Sequence, residues 1–228
     1  MNNSGSPSQI AIFDLDHTLI PIDSDYEWGQ FLCRIGAVDR TFFEQRNHDF
    51  FAQYQAGCLD AEEYLAFALG TLTPFSPDQL TTMREQFMRE VISPVLLPAA
   101  QKLLAQHQHD LVIIISATNR FVTEPIAHAF GVEHLIAAQP EITPDGRLTG
   151  KLVGSPTYGA GKVDHLNAWL AERNTALPRF ERSYFYSDSH NDLPLLQLVS
   201  NPVATNPNAQ LLAHAQLNSW PILNLFND

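Results

Sequence analysis

The apolar positions of this chain change period along its length. Ile10, Ala11, Ile12 and Phe13 form an unbroken apolar run, the pattern of a strand buried on both faces inside a parallel sheet. From Ser24 to Val91 the spacing becomes helical, with Trp28, Phe31, Leu32 and Ile35, then Phe43, Phe50, Phe51 and Tyr54. Tyr64, Leu65, Ala68 and Leu72 follow, and then Leu80, Met83, Phe87 and Val91. Each set has a start signal: a capping box of Ser24 with Glu27, Asp39, Asp60 with Glu63, and Ser76-Pro77-Asp78-Gln79. Gly36 and Gly57 close the first two sets. The aromatic residues of this block, Tyr26 and Trp28 included, read as the core of a small bundle.

Pro94 and Pro98 end the block, and helix then alternates with strand. Ala99–Gln106 and Glu124–Phe130 are predicted helices, and Leu111–Ser116 a buried strand. Leu135–Ala138 reads as a short strand, and Asp145-Gly146 as the turn of a β-hairpin running to about Gly154. Val163, Leu166, Trp169 and Leu170 mark a helix, Arg182–Asp188 a strand, Pro202–Thr205 a last strand and Leu211–Leu217 a last helix. Strand, helical insert, then alternation argues for an α/β fold: a Rossmann-like parallel sheet core with an inserted helical-bundle cap. The core spans 1–21 and 96–228, and the cap 22–95.

Composition narrows the partners. The 228 residues, 45% of them hydrophobic, suffice for a real core. With 13 basic against 25 acidic side chains, a net charge of −12 and no Lys/Arg run, the chain lacks what a nucleic-acid groove requires. The polar start, Met1 to Gln9, has neither the basic nor the apolar part of a secretory signal, and no apolar run approaches the roughly 18 residues of a membrane span. Cys33 and Cys58 lie in helical segments without metal spacing, so the expectation is a reduced, cytoplasmic protein acting on a small molecule.

Chemistry concentrates at strand tips. Asp14 and Asp16 end the first strand, where ligands bind in open α/β sheets. Two carboxylates placed there repel unless a cation or a proton transfer uses them. Asp23-Ser24-Asp25 repeats the spacing nearby, so the pair alone is weak evidence. Ser116 ends the second buried strand, Lys162 opens a helix, and Ser187-Asp188-Ser189-His190-Asn191-Asp192 follows a third strand. His107 and His109, near a helix end, read as surface residues.

In this order Asp14-x-Asp16-x-Thr18, Ser116, Lys162 and Asp188-x-x-x-Asp192 closely resemble the four motifs of the haloacid dehalogenase-like phosphatases. The branch that includes phosphoserine phosphatase carries a helical cap between its first and second motifs. The resemblance implies a Mg²⁺-dependent phosphomonoester hydrolase of a small phosphorylated metabolite. Asp14 would be the nucleophile that forms an aspartyl phosphate, and Asp16 the acid and base. Mg²⁺ would be held by Asp14, the Asp16 carbonyl and Asp188, with Asp192 binding through water or orienting the shell. Ser116, Ala117, Lys162 and Thr18 are the implied phosphate residues, although the Thr18 hydroxyl could instead brace the loop. A phosphotransferase using the same intermediate and a non-catalytic phosphate-binding protein are the alternatives.

Specificity departs from that branch. Its phosphoserine phosphatases read the substrate amine with a glutamate nine residues after the nucleophile, where this chain has Asp23. They read the substrate carboxylate with a cap arginine, absent from Tyr64-Leu65-Ala66-Phe67-Ala68-Leu69. Asp23, Asp25 and Glu27 therefore point to a cationic or polyhydroxy leaving group, such as that of histidinol phosphate, or simply to helix N-terminal charge. Arg46 is the cation that would restore phosphoserine recognition if it reached the site.

Overall fold

The computed structural model describes residues 8–56 and 58–226; the tail over 1–7 and the helix end expected at Gly57 lie outside them. Seven strands of the described residues form one sheet, in the order β4-β3-β2-β1-β5-β6-β7. The strands are β1 (Gln9–Phe13), β2 (Leu111–Asn119), β3 (His134–Ile142), β4 (Leu148–Val153), β5 (Arg182–Ser187), β6 (Asn201–Thr205) and β7 (Ile222–Leu223). All neighbours run parallel except β3 and β4. The expected short strand and hairpin are thus one unit: β3 runs on past Ala138 to become the first arm of the hairpin.

β1 is central, with Ile10 paired to Leu111 on one side and to Ser183 on the other. Strand alternation divides its apolar run between two cores. Ile10 and Ile12 join Ile113 and Ile115 under the helices α7 (Ala160–Glu172) and α9 (Ala209–Leu217), through Leu166, Leu170 and Leu211. Ala11 and Phe13 face the other way, toward α5 (Pro98–Ala105) and α6 (Arg120–Ala129), through Leu103, Val122 and Ile126. Both faces of the sheet are covered, which is why the run needs no polar alternation.

The inserted helices are α1 (Ser24–Arg34), α2 (Arg40–Gln55), α3 (Ala61–Gly70) and α4 (Pro77–Phe87). A π-helical turn over Met88–Ile92 and a 3-10 turn over Ser93–Val95 lead back to α5. Asp39, Asp60 and Ser76 cap α2, α3 and α4 as expected, Ser76 with the reciprocal Gln79 box. At α1 the N-cap is Asp23 rather than Ser24: its carboxylate accepts from the backbone N–H groups of Asp25 and Tyr26, at 3.0 and 2.9 Å. Trp28, Phe31, Leu80 and Phe87 share the cluster of Phe13 and Val122, so α1 and α4 dock on the sheet side of the molecule. α2 and α3 meet through aromatic contacts, Phe43 on Phe67 and Phe50 on Tyr64 with ring centroids 5.4 and 5.3 Å apart. α1 and α2 approach closely at Gly29, where a Cβ would lie 1.8 Å from Cζ of Phe43.

Two further expectations change. His107 is buried, its Nδ1 2.7 Å from Asp110 Oδ2 and its Nε2 2.8 Å from the Tyr186 hydroxyl, against the stacked rings of Phe13 and Tyr186. Burial there is possible because both ring nitrogens have partners. Cys58 is exposed and lies past the end of α2, whereas Cys33 is buried within α1. No helix among the described residues is long and apolar enough to cross a membrane.

Candidate active site

The three expected strand tips meet at one end of the sheet. The chain leaves β1 at Asp14, whose N–H donates to the Tyr186 carbonyl, and then tightens into a turn in which the Leu15 carbonyl accepts from Thr18, Leu19 and Ile20. His17 takes the left-handed conformation in this turn (φ 56°), a strain of about 1–3 kcal/mol for a residue other than glycine. Asn206 anchors the turn by donating to the carbonyls of His17 and Thr18.

Lys162 reaches this end from the first turn of α7 and is buried. Its Nζ donates to Asp14 Oδ1 at 2.6 Å and to Asp192 Oδ2 at 2.7 Å. The α7 entry is tight: a Cβ on Gly161 would lie 2.3 Å from the Pro156 carbonyl oxygen. Ser187 also donates to Asp192 Oδ2, at 2.7 Å. Thr18 is fully buried; its hydroxyl accepts from the Asp188 N–H at 3.0 Å and lies 3.3 Å from Asp14 Oδ2 and 3.4 Å from Asp188 Oδ1. It ties the first motif to the fourth and does not line the cavity, which corrects the phosphate-contact expectation in favour of the brace.

Asp16 is held by two donors, the Ser24 N–H on Oδ1 and the Thr118 hydroxyl on Oδ2, each at 2.8 Å. Thr118 in turn donates its N–H to Ser116 Oγ at 3.1 Å. Sequence reasoning did not single out Thr118, although its place two residues after Ser116 on the same strand end was the available signal. Asn119 was likewise missed: it caps α6 and donates to Asp25 Oδ1 at 3.1 Å.

The crevice is short of positive charge. Burial, and secondarily Asp23, pushes the Asp16 carboxyl up to about 8. Burial also raises Asp14, with Lys162 offsetting part of the rise, and lifts Asp188 well above the ordinary range, with Asp14 and Asp192 adding to it. Burial works against the Lys162 ammonium, but Asp14 and Asp192 outweigh it and hold it above its ordinary value.

Above this floor lies a cavity of about 200 Å³. Its floor includes Asp14, Asp16, Ser116, Ala117, Lys162 and Asp188; Asp192, Ser189 and Asn191 also line it. Its upper walls are Tyr26, Phe50, Phe51, Tyr54, Tyr64 and Leu65 from the inserted helices. The aromatics expected as bundle core are thus divided: Trp28 and Phe31 are core, while Tyr26, Phe50, Phe51 and Tyr54 face the cavity. Tyr54 also bonds Ser189 at 3.0 Å.

Of the specificity candidates, Asp23 lines the cavity and Asp25, Glu27 and Arg46 do not. Asp25 is turned inward to Asn119. Arg46 is paired with Glu63 at 2.7 Å and lies over the Phe50 ring, which removes it from the role suggested for it. Lys162 is the only Lys or Arg that lines the cavity among the described residues.

Carboxylates from two strand tips around one buried lysine, at the carboxyl end of a parallel sheet, define the reaction crevice of a Rossmann-like α/β enzyme. A sequence model of the haloacid dehalogenase-like hydrolases matches residues 11–197, and the chain belongs to that family as one of its phosphatases. It is 46% identical to a histidinol-phosphatase of Neisseria meningitidis serogroup C (strain 8013), over 94% of this chain and 98% of the relative. A crystal structure of a protein of unknown function from Bordetella pertussis Tohama I is similar at a TM-score of 0.91 and 47% identity, covering 97% of this chain and 100% of that one. A substrate-bound phosphoserine phosphatase has the same fold at a TM-score of 0.66 and 14% identity, covering 96% of this chain and 93% of that one.

Proposed function

We propose that this phosphatase is a Mg²⁺-dependent phosphomonoester hydrolase that works through an aspartyl phosphate on Asp14 and takes an amino-alcohol phosphate, histidinol phosphate being the leading substrate. One observation carries the reading: Asp14 sits against the Lys162 ammonium, while Asp16, two residues on, is held by Thr118 and Ser24 with its carboxyl up at about 8. A buried carboxyl whose setting favours the protonated form, beside a carboxylate supported by an ammonium, is arranged as an acid beside a nucleophile.

In the first step an Asp14 oxygen bonds to phosphorus, the ester P–O bond breaks, and Asp16 gives its proton to the leaving alkoxide. In the second, the Asp16 carboxylate takes a proton from water as that water attacks phosphorus, and the Asp14–phosphate bond breaks. The Ser116 hydroxyl, the Ala117 main chain and Lys162 hold the phosphate oxygens, the lysine as a point charge. Residues 22–95 act as the cap that walls in the leaving group.

The donor set fits a hard dication. The Asp14 and Asp188 carboxylates with the Asp16 carbonyl would hold the ion, all oxygen ligands of the kind that a hard dication takes. Burial first, and then the neighbouring carboxylates, raise the Asp14 and Asp188 carboxyls, a repulsion that a bound cation would relieve. Bound Mg²⁺ would offset the repulsion between the carboxylate and the phosphate dianion. Asp192, committed through Oδ2 to Lys162 and Ser187, orients the lysine.

The substrate class follows from charge. Asp23 supplies an anion for an amine, whereas a substrate carboxylate would meet no arginine in the cavity. The Neisseria relative, a histidinol-phosphatase by name, supports the same choice. Phosphate release from L-histidinol phosphate and L-phosphoserine, each with Mg²⁺ and with chelator, tests it. The expected kcat/KM ratio is at least about tenfold in favour of histidinol phosphate. Preference for phosphoserine, or full turnover in chelator, would refute it.

A further inference from the structure

The inward stripe of α2 contains one residue that the fold does not need. Phe43, Asn47, Phe50 and Tyr54 recur at helical spacing; Phe43 and Phe50 are 4% and 2% exposed, and Asn47 is 8% exposed among them. An asparagine at an apolar stripe position is costly unless its amide is hydrogen-bonded. Its neighbours on the stripe are satisfied: Phe43 packs on Phe67, Phe50 on Tyr64, and the Tyr54 hydroxyl bonds Ser189. The Asn47 Nδ2 group is buried without a partner among the described residues, and Asn47 lines the same cavity as Asp14 and Lys162. Around it the walls are flat and apolar, made by Tyr26, Phe50, Phe51 and Tyr64.

A leaving group that contacts Asp16 at the floor and the α2 stripe above passes Asp23 and walls that are mainly aromatic, with Leu59, Ala61 and Leu65 between the rings. Aromatic faces take a flat ring edge-on or stacked, and an orphaned N–H takes a lone pair on that ring. We propose that Asn47 and these rings form the subsite that reads the leaving group's ring, the Asn47 amide donating to an acceptor nitrogen on the neutral heteroaromatic ring of the amino-alcohol phosphate proposed above. This rests on the phosphatase reading above and adds a specificity-determining residue to it. The Nδ2 atom is itself covered, so a turn of the Asn47 side chain toward the cavity it lines lets the substrate complete the amide, and its desolvation cost becomes discrimination against leaving groups that lack the acceptor.

Three esters at pH 8 separate the parts: L-histidinol phosphate, L-phenylalaninol phosphate, which keeps a ring without ring nitrogen, and 2-aminoethyl phosphate, which keeps only the amine. The wild-type kcat/KM should favour histidinol phosphate over phenylalaninol phosphate by about tenfold or more, as expected where a site built to hydrogen-bond is left unpaired. N47A should bring that ratio to within about threefold. F51A, at a wall position 58% exposed and therefore safe for folding, should lower the preference for histidinol phosphate over 2-aminoethyl phosphate severalfold. A histidinol-to-phenylalaninol ratio unchanged in folded N47A overturns the subsite. If N47A does not fold, the F51A ratio decides, and no change there overturns it. Cleavage of all three esters at equal kcat/KM by the wild type also overturns the subsite while leaving the phosphatase reading intact. Release of phosphate from none of them overturns that reading as well.

Discussion

Asp25→Asn should make the protein more stable, and only above mildly acidic pH. Asp25 is 5% exposed, with Oδ1 accepting from Asn119 at 3.1 Å. Burial, and then the Asp23 charge, raises its carboxyl from the ordinary 3.8 to about 7, with Tyr64 working the other way. Because the folded value lies above the unfolded one, the fold binds the proton more tightly. Its contribution is fully present below about pH 4 and is lost as pH rises through about 7. A displacement of about three pH units is worth about 4 kcal/mol at most. An amide of the same shape does not ionise and escapes that loss. The variant should therefore match the wild type near pH 4 and gain about 1 kcal/mol per pH unit, up to about 2–4 kcal/mol at pH 8. Urea unfolding of metal-free wild type and variant at pH 4.5, 6 and 8, with equal m values, measures this. A stability difference independent of pH, or a loss at pH 8, would refute the buried-carboxyl reasoning.

Thr118→Val removes the hydroxyl that holds Asp16 Oδ2 and should lower kcat about tenfold on alkyl phosphates but much less on aryl phosphates, whose leaving oxygens need little protonation; steady-state kinetics on both classes checks it. Asp188→Asn should raise the Mg²⁺ concentration for half-maximal activity at least about tenfold, read from a metal titration, since a hard dication gains most from a charged oxygen. Gly29→Ala should cost about 1–3 kcal/mol in denaturant unfolding, because its methyl would overlap the Phe43 ring and force α1 and α2 apart.

Much of the architecture is written locally. An apolar run of four residues can be buried only where both sheet faces are covered, and β1 is the central strand of the sheet. Capping signals act within a turn, so Asp39, Asp60 and Ser76 each begin a helix where the sequence places it. Asp23 takes the cap expected of Ser24: the helix begins one residue earlier in its capping register, with the Asp23 carboxylate on the Asp25 and Tyr26 N–H groups and the Ser24 hydroxyl left without a partner. The strand-tip acids, Ser116 and Lys162 are legible for the same reason: the end of a parallel strand is a position that sequence defines.

What a side chain faces across the fold is not local. His107 looks like a surface residue until Asp110 and Tyr186 close on both of its nitrogens, the second from another strand. Thr118 acquires meaning only when β2 and the turn after β1 bring it to Asp16, 102 positions away in sequence. Helical periodicity alone assigns Phe43, Phe50, Phe51 and Tyr54 to one apolar face, but Phe43 packs on Phe67 of the next helix while Phe50, Phe51 and Tyr54 line the cavity. Arg46 could not be excluded by pattern, because its partner Glu63 belongs to the next helix. Period and capping determine which elements form, since they depend on bonds within a few residues. Docking of those elements decides which polar groups are satisfied and which are left facing the cavity, because each partner comes from a distant part of the chain.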